Sequence, residues 1–499
     1  MSLLLVLLVV LLVTFLFQHL WMKRDLYKLS WHLSGPFVIP ILGNLHFLLS
    51  LSNEDLFNSM RTFFRNYKTP ARFWIGSSLF VCVTKPEDVQ VILNSMECID
   101  RYSSDHLSKN VPARGLLTLR GHQWKVHRKL LNPTFNLKTL QSYMPIFNNQ
   151  INVLVSRLSG VNSAISTDIH DYTSPLALDS ICQTAMGSEL NIQRHQNVEY
   201  FDALNNIISI QVQKVSNPIL HIHWLFKMTS IYENEMKSNR IFSNFIKNIL
   251  KEKKANFKHH PTPYDDVIPF SKPKPVIDHL MNLFMVENKF TAQDVFAESR
   301  TIVHTGFETT ALVSSYCVLA MAMFPENQQR IYEEIKSIIP NKDGDIQYED
   351  LKKFEFLERF IKECLRLFPP IPLLGRVVRD TIKLGDYTIP KETNLILPIW
   401  IMHRDKEAWG PTAEEFDPNR FLPENYKHIH PYAYIPFTAG PRNCIGYKYA
   451  QIFLTVLLIK LVNNFKFRTD LKMEDLRFRM DISLKLQNKH MVYIEKRDV

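Results

Sequence analysis

Glycine is scarce, with 14 residues in 499, which excludes a collagen-like or low-complexity chain. No G-x-G-x-x-G and no G-x-x-x-x-G-K stretch occurs. The loops that seat a dinucleotide or a nucleotide on a helix N-terminus are therefore missing, and any electrons for redox chemistry must come from a separate protein. Cysteine is scarce as well. Cys82, Cys98, Cys182, Cys317, Cys364 and Cys444 are scattered, with no pair at two-residue spacing. That excludes a zinc ribbon, a dithiol redox motif and a disulfide framework. It suits a reducing compartment, where a lone cysteine is either a small buried hydrophobe or a special thiolate. His403-Arg404-Asp405 lacks the downstream Asn of a kinase loop, and no D-F-G is present, so a kinase is excluded. The pairs His221/His223 and His428/His430 have no evident third ligand and read as ordinary surface or core histidines.

What the chain does have is apolar mass: 46% hydrophobic residues and 33 phenylalanines, ample for a large core. Its length allows roughly three ordinary domains, or one large helical unit around a buried cofactor. A formal net charge of +10 suits an anionic membrane, an acidic protein or nucleic acid without choosing among them.

Leu3 to Phe17 is almost wholly Leu, Val and Phe, and Gln18 to Met22 extends the run to about the 20 residues that span a bilayer. Leu, Phe and Val each favour insertion by roughly 0.3 to 0.6 kcal/mol. A cleaved signal peptide is the competing reading. It would need a basic residue before the run and a small-x-small site after it, and neither is present. An uncleaved anchor over residues 1–22 is expected. Lys23, Arg24 and Lys28 follow it, and positive flanks stay cytosolic. Residues 23–44 end in Gly35 to Asn44, two prolines and two glycines that predict a stiff, turned hinge. Residues 45–499 form the globule.

Within the globule, Ala71 to Ile75 and Leu79 to Val83 read as strands, and helical periodicity dominates thereafter. Lys251 to Pro275 is polar with five prolines and reads as a solvated loop, a membrane or partner contact being the other option. A helix is predicted from Thr291 to Met323, opened by a capping box at Thr291 and Asp294 and closed by Phe324-Pro325. Near its middle, Thr305-Gly306-Phe307-Glu308-Thr309-Thr310 is poor helix material. Such a local conflict points to a polar notch at an active site.

The most informative stretch is Phe437-Thr438-Ala439-Gly440-Pro441-Arg442-Asn443-Cys444-Ile445-Gly446, which runs into a helix from about Tyr447 to Val462. It puts Cys444 at a helix N-terminus, where free N–H groups and the dipole favour a thiolate. Gly440 permits a tight turn and Gly446 close approach of a flat cofactor. Phe437 can shield the sulfur, and Arg442 can pair with a carboxylate of the cofactor.

This F-x-x-G-x-R-x-C-x-G run resembles the heme-binding loop of the cytochromes P450, and further motifs of that family follow in order. Trp124 and Arg128 match W-x-x-x-R, whose spacing puts both on one face toward a heme propionate. Glu363 and Arg366 match E-x-x-R, which in the family locks onto a later arginine, here Arg420. Arg376 matches a further propionate-binding arginine, and Gly306 to Thr310 the oxygen-activation motif. The resemblance is closest to the family-4 clan, on Tyr432 to Pro436 and His403 to Asp405.

The resemblance implies a mainly α fold with small β-sheets, on a single N-terminal transmembrane anchor in the endoplasmic reticulum. It implies heme b bound through Cys444, with Thr309 supplying a proton through a water and Glu308 as the acidic relay behind it. It also implies NADPH-cytochrome P450 reductase as electron donor, with cytochrome b5 as a further partner, and a lipophilic substrate; no nucleic acid is expected. Lys125, Lys129 and Lys448 would face the reductase. The loop from Arg101 to His122 and the strand near Ile371 to Gly375 would line the pocket. Some clan members esterify the heme through a Glu at the position of Thr305; threonine cannot, so the heme is expected to be non-covalent. Alternatives are a heme-thiolate isomerase or dehydratase that needs no reductase, and a membrane-anchored heme protein without turnover.

Overall fold

The computed structural model describes residues 2–39, 41–44, 53–102, 114–217, 220, 223–259, 273–339 and 344–497. Residues 103–113 of the expected pocket loop, His221 and Ile222, Pro40 of the hinge and residues 260–272 of the polar run lie outside the described residues.

A capped apolar helix is the spine. Thr291 Oγ1 accepts the Asp294 N–H at 3.1 Å and Asp294 Oδ2 accepts the Thr291 N–H at 2.8 Å, so the predicted capping box forms. The helix spans Ala292–Met323, about 48 Å at 1.5 Å per residue. From Thr310 to Ala322 every residue is buried. The helices His170–Ile181, Val276–Met285, Glu355–Leu367 and Tyr447–Asn464 pack against it. Gly306 marks the close approach to the first of these: an added Cβ would lie 2.8 Å from the Ile181 side chain. The glycine that looked wrong for a core helix is thus accounted for by helix packing on the side facing Ile181.

The small sheets frame this bundle. The two expected strands form at Ala71–Ile75 and, one residue earlier than the Leu79 to Val83 reading, at Ser78–Cys82; they pair antiparallel, the second bonding in parallel to Asn394–Leu397. Leu374–Val377 and then Asp100–Arg101 complete five strands, and the last pairing sets Arg101 opposite Arg376. Three smaller sheets carry the rest, among them the hairpin Phe478–Met480 and Leu484–Leu486.

The N-terminal helix Ser2–Met22 exposes its leucines and valines over most of its length. It is long and apolar enough to cross a membrane and no described residue covers it; the other described helix that qualifies is the buried spine. Residues 23–44 are firmly docked. Helix Arg24–His32 buries Leu26 and Leu29, Trp74 Nε1 donates to Ser30 Oγ at 3.0 Å, and Arg72 donates to the carbonyls of Ser30 and Pro36 at 2.6 and 2.9 Å.

Below the bundle lies a network without solvent. Arg366 donates to both carboxylate oxygens of Glu363 at 2.7 and 2.8 Å, both side chains being wholly buried. Its remaining N–H groups reach the carbonyls of His403, Ala413 and Glu415 at 2.6 to 2.9 Å. Glu363 also accepts the Asp417 N–H at 2.8 Å and stands 3.6 Å from Arg420. The three charges expected to meet do so. Glu363→Ala would leave two buried guanidiniums facing no carboxylate, at a cost of about 3–5 kcal/mol. Urea denaturation followed by circular dichroism should show that loss and a clearly smaller one for Glu363→Gln; equal stability of all three proteins would remove the network from the account.

Candidate functional site

Of the six cysteines only Cys444 is partly accessible; the other five are buried. Its loop turns through two left-handed residues, Thr438 at φ 56° and Gly440 at φ 71°. At Gly440 a Cβ would run into the Leu93 carbonyl oxygen and come within 3.3 Å of Asn94 Oδ1, so backbone conformation and space both demand glycine. The Asn443 N–H donates to Gly440 O at 3.1 Å and the Cys444 N–H to Phe437 O at 2.9 Å, closing the turn before the helix Tyr447–Asn464. The Phe437 ring lies 6.3 Å from that of Tyr447. A Cβ at Gly446 would meet no atom within 4 Å, so the backbone there borders open space.

Burial pushes the Cys444 thiol up, against the Gly446 N–H and the charges of Arg101 and Arg128, which pull it down. The helix N-terminus thus supplies the stabilising sign expected from the sequence, and desolvation outweighs it. A metal ion would decide the matter, since a coordinating thiol is deprotonated outright.

Four arginines surround this loop, in two kinds. Arg128 donates to Asn443 O and Oδ1 at 2.6 and 2.7 Å and to Asn132 Oδ1 at 2.9 Å. Arg442 donates to the carbonyls of Ile99, Leu117 and Leu119 at 2.9, 3.2 and 2.6 Å, with its guanidinium 5.0 Å over the ring of buried Trp124. Both hold backbone in place. Arg376 differs most: both its terminal nitrogens have no hydrogen-bond partner although the side chain is buried, while Arg101 and Arg442 each leave Nε without one. Burial, then the charges of Arg101 and Arg442, holds the Arg376 guanidinium well below its usual value. A buried cation without an acceptor is costly, so this cross-strand pair fits a bound anionic group with carboxylates, as heme carries. Arg101 was not among the expected ligands. Only its register opposite Arg376 reveals it, and no local pattern in the sequence encodes that register.

The spine, which packs on the helix that follows the cysteine loop, has a polar middle. Thr301, His304, Thr305, Glu308 and Thr309 are half-buried between wholly buried neighbours. The hydroxyls of Thr301, Thr305 and Thr309 each donate to the carbonyl four residues back, at 2.7 to 2.8 Å. Thr309 oxygen can still accept. Glu308 accepts from Ser483 Oγ at 2.7 Å and lies 3.3 Å from Lys485 Nζ; neither partner was foreseen, because both come from the hairpin 175 or more residues away, Ser483 in its turn and Lys485 in its second strand. Lys125, Lys129 and Lys448 are all exposed. Among the described residues no group of three or more His, Cys, Asp or Glu is arranged to hold a metal ion.

A family profile described as cytochrome P450 matches residues 33–493. The chain belongs to the cytochrome P450 family. It is similar to "Probable cytochrome P450 313a4" of Drosophila melanogaster, 33% identical over 481 residues, or 96% of each chain. It is 32% identical over 463 residues to "Cytochrome P450 4c21" of Blattella germanica, covering 92% of this chain and 91% of that one. It is 31% identical over 468 residues to "Cytochrome P450 4V2" of Pongo abelii, with 92% and 88% covered. The mainly helical P450 fold and the resemblance to family 4 therefore stand, and the enzyme is a P450 monooxygenase, an oxidoreductase. Membership implies a heme-thiolate iron cofactor.

His403, set aside as a false kinase signal, joins the two halves of the P450's thiolate side. Its Nδ1 lies 3.1 Å from Arg366 O, and its Nε2 accepts the Ile435 N–H at 3.0 Å, just before the thiolate loop. Burial holds its pKa down at about 3, against 6.5 ordinarily. The unfolded chain therefore binds the proton more readily below pH 6.5. The stability that neutral His403 contributes is complete above that pH and is lost as pH falls toward 3. His403→Gln should cost stability at pH 7.5 and make the acid decline between pH 6.5 and 4 shallower, as read by melting temperature against pH; a parallel curve would refute the assignment.

Proposed function

We propose that this P450 inserts one oxygen atom of O2 into a lipophilic substrate such as a fatty acid, hormone or xenobiotic, releasing the other as water. Electrons would come from NADPH-cytochrome P450 reductase, with cytochrome b5 as a further donor. The reading rests on one observation: the one cysteine that is not fully buried lies two residues before Gly446, whose backbone borders open space, and within reach of the charge of Arg101, the cross-strand partner of Arg376, whose terminal nitrogens lack acceptors.

Cys444 would be the axial ligand of heme b. When bound, that group supplies oxygen activation, its cysteine ligand pushing electron density toward O–O cleavage. Arg376 and Arg101 would hold the propionates. Arg128, Arg442 and Trp124 would fix the loop that presents the sulfur, Phe437 would shield it, and Gly440 and Gly446 would give the turn and the room. Thr309 would accept from a water and pass protons to the oxygen side, with Glu308 as the acid behind it. Thr305 offers no carboxylate for an ester, so the heme would be held non-covalently. Residues 1–22 would anchor the protein in the endoplasmic reticulum membrane, with residues 23–44 docking the globule and 45–499 carrying catalysis on the cytosolic side. Exposed Lys125, Lys129 and Lys448 would receive the reductase.

Two variants test this. Cys444→Ser should abolish the red-shifted Soret absorption of the reduced protein under carbon monoxide while the chain remains folded. Thr309→Ala should keep that signal yet lower substrate oxidised per NADPH consumed, roughly a hundredfold if proton delivery limits. A substituted Cys444 that still gives the thiolate spectrum would end the proposal.

A further inference from the structure

Glu298, two turns before Thr305 on the spine, is a wholly buried carboxylate that the chemistry above does not use. Its Oε1 lies 2.7 Å from His127 Nδ1, and its Oε2 accepts the Leu116 N–H at 2.9 Å. A carboxylate only accepts, so Nδ1 carries the proton. The other imidazole nitrogen stands 3.8 Å from Asp294, and the ring packs 4.6 Å from that of Phe290.

The partners of these two contacts lead to the same place. His127 precedes Arg128 on the helix Gly121–Leu131, and Arg128 grips the backbone and side chain of Asn443, next to Cys444. Leu116 belongs to the segment whose Leu117 and Leu119 carbonyls receive Arg442, two residues before Cys444. The same segment is pinned to the spine at Gly115, where a Cβ would collide with Thr301 Oγ1 and lie 2.8 Å from Ala297 O. One carboxylate thus touches both supports of the thiolate loop.

We propose that Glu298 is a positioning residue that locks the oxygen-side helix to the thiolate loop, through His127 to Arg128 and through Leu116 to Arg442, and so sets how firmly Cys444 holds its iron. This deepens the heme-thiolate reading and rests on it. Groups that orient a metal's ligands typically change metal affinity by about 10–100-fold when removed, and Glu298 acts one step farther out, so the lower end applies.

The test uses full-length, heme-loaded protein with Glu298→Gln, Glu298→Leu, His127→Leu and the double variant Glu298→Leu/His127→Leu. Two quantities are read: the rate at which the red-shifted Soret signal under carbon monoxide decays to the form without thiolate on mild warming, and the rate of heme transfer to apomyoglobin. Glu298→Leu should raise both roughly tenfold. Glu298→Gln, which keeps an acceptor, should sit between it and the unsubstituted protein. The double variant should fall well short of the product of the singles, because contacting partners couple. If Glu298→Leu does not fold, the graded response of Glu298→Gln and His127→Leu carries the same test. A lowered melting temperature with both rates unchanged would make Glu298 merely structural and overturn the proposal. An unsubstituted protein that never shows the thiolate signal would instead remove the heme reading, and this inference with it.

Discussion

A guanidinium taken out of water must find an oxygen for each N–H or an anion for its charge, and the cysteine side of this molecule is organised by that requirement. Arg366 meets it entirely within the protein, with Glu363 and three carbonyls. Arg128 and Arg442 meet it largely with oxygens of distant segments, Arg442 leaving Nε open, and in doing so tie the cysteine loop to those segments. Arg376 does not meet it, and the open nitrogens it presents toward Arg101 distinguish a binding position from a structural one. Satisfaction and dissatisfaction of the same side chain thus separate framework from site.

The family motifs are therefore not equivalent in what they do. W-x-x-x-R and the arginine of the cysteine loop, expected from the family resemblance to face a cofactor, also hold protein: Trp124 lies beneath Arg442, whose Nε stays open, and Arg128 beside Asn443. Burial of the Cys444 thiol is the necessary counterpart. Desolvation raises the thiol, so the surroundings of the sulfur disfavour its ionisation, which a coordinated metal would supply.

Much of this was legible along the chain because it is local. Helix caps, the strand pair at Ala71 to Cys82, and the left-handed glycine before the cysteine depend on neighbours within a few residues, and each is found where the spacing put it. Gly306 was legible only as an anomaly. Its cause, the Ile181 side chain, is 125 positions away, and the sequence offered a polar notch as the readier explanation. Arg101, Ser483, Lys485 and the pair Glu298 with His127 were not legible at all. Their roles exist only after distant strands and helices are brought together, and nothing in the composition of Asp100-Arg101 or Ser483-Leu484-Lys485 distinguishes them from any polar pair in a short strand.

The spine shows why those long-range contacts matter more than their number suggests. On a helix, positions 294, 298, 301, 305 and 309 recur every three or four residues and form one stripe. Its N-terminal part carries the two carboxylates near His127, and its C-terminal part the threonines beside the opening, about 16 Å apart along the axis from Glu298 to Thr309. A buried, fully hydrogen-bonded helix transmits displacement because its neighbours are close-packed and cannot absorb it. A shift of the segment holding Arg442 would consequently be felt at Thr309 as a shift of the whole stripe. The support of the cysteine loop at Glu298 and the face that carries Thr305 and Thr309 then belong to a single rod.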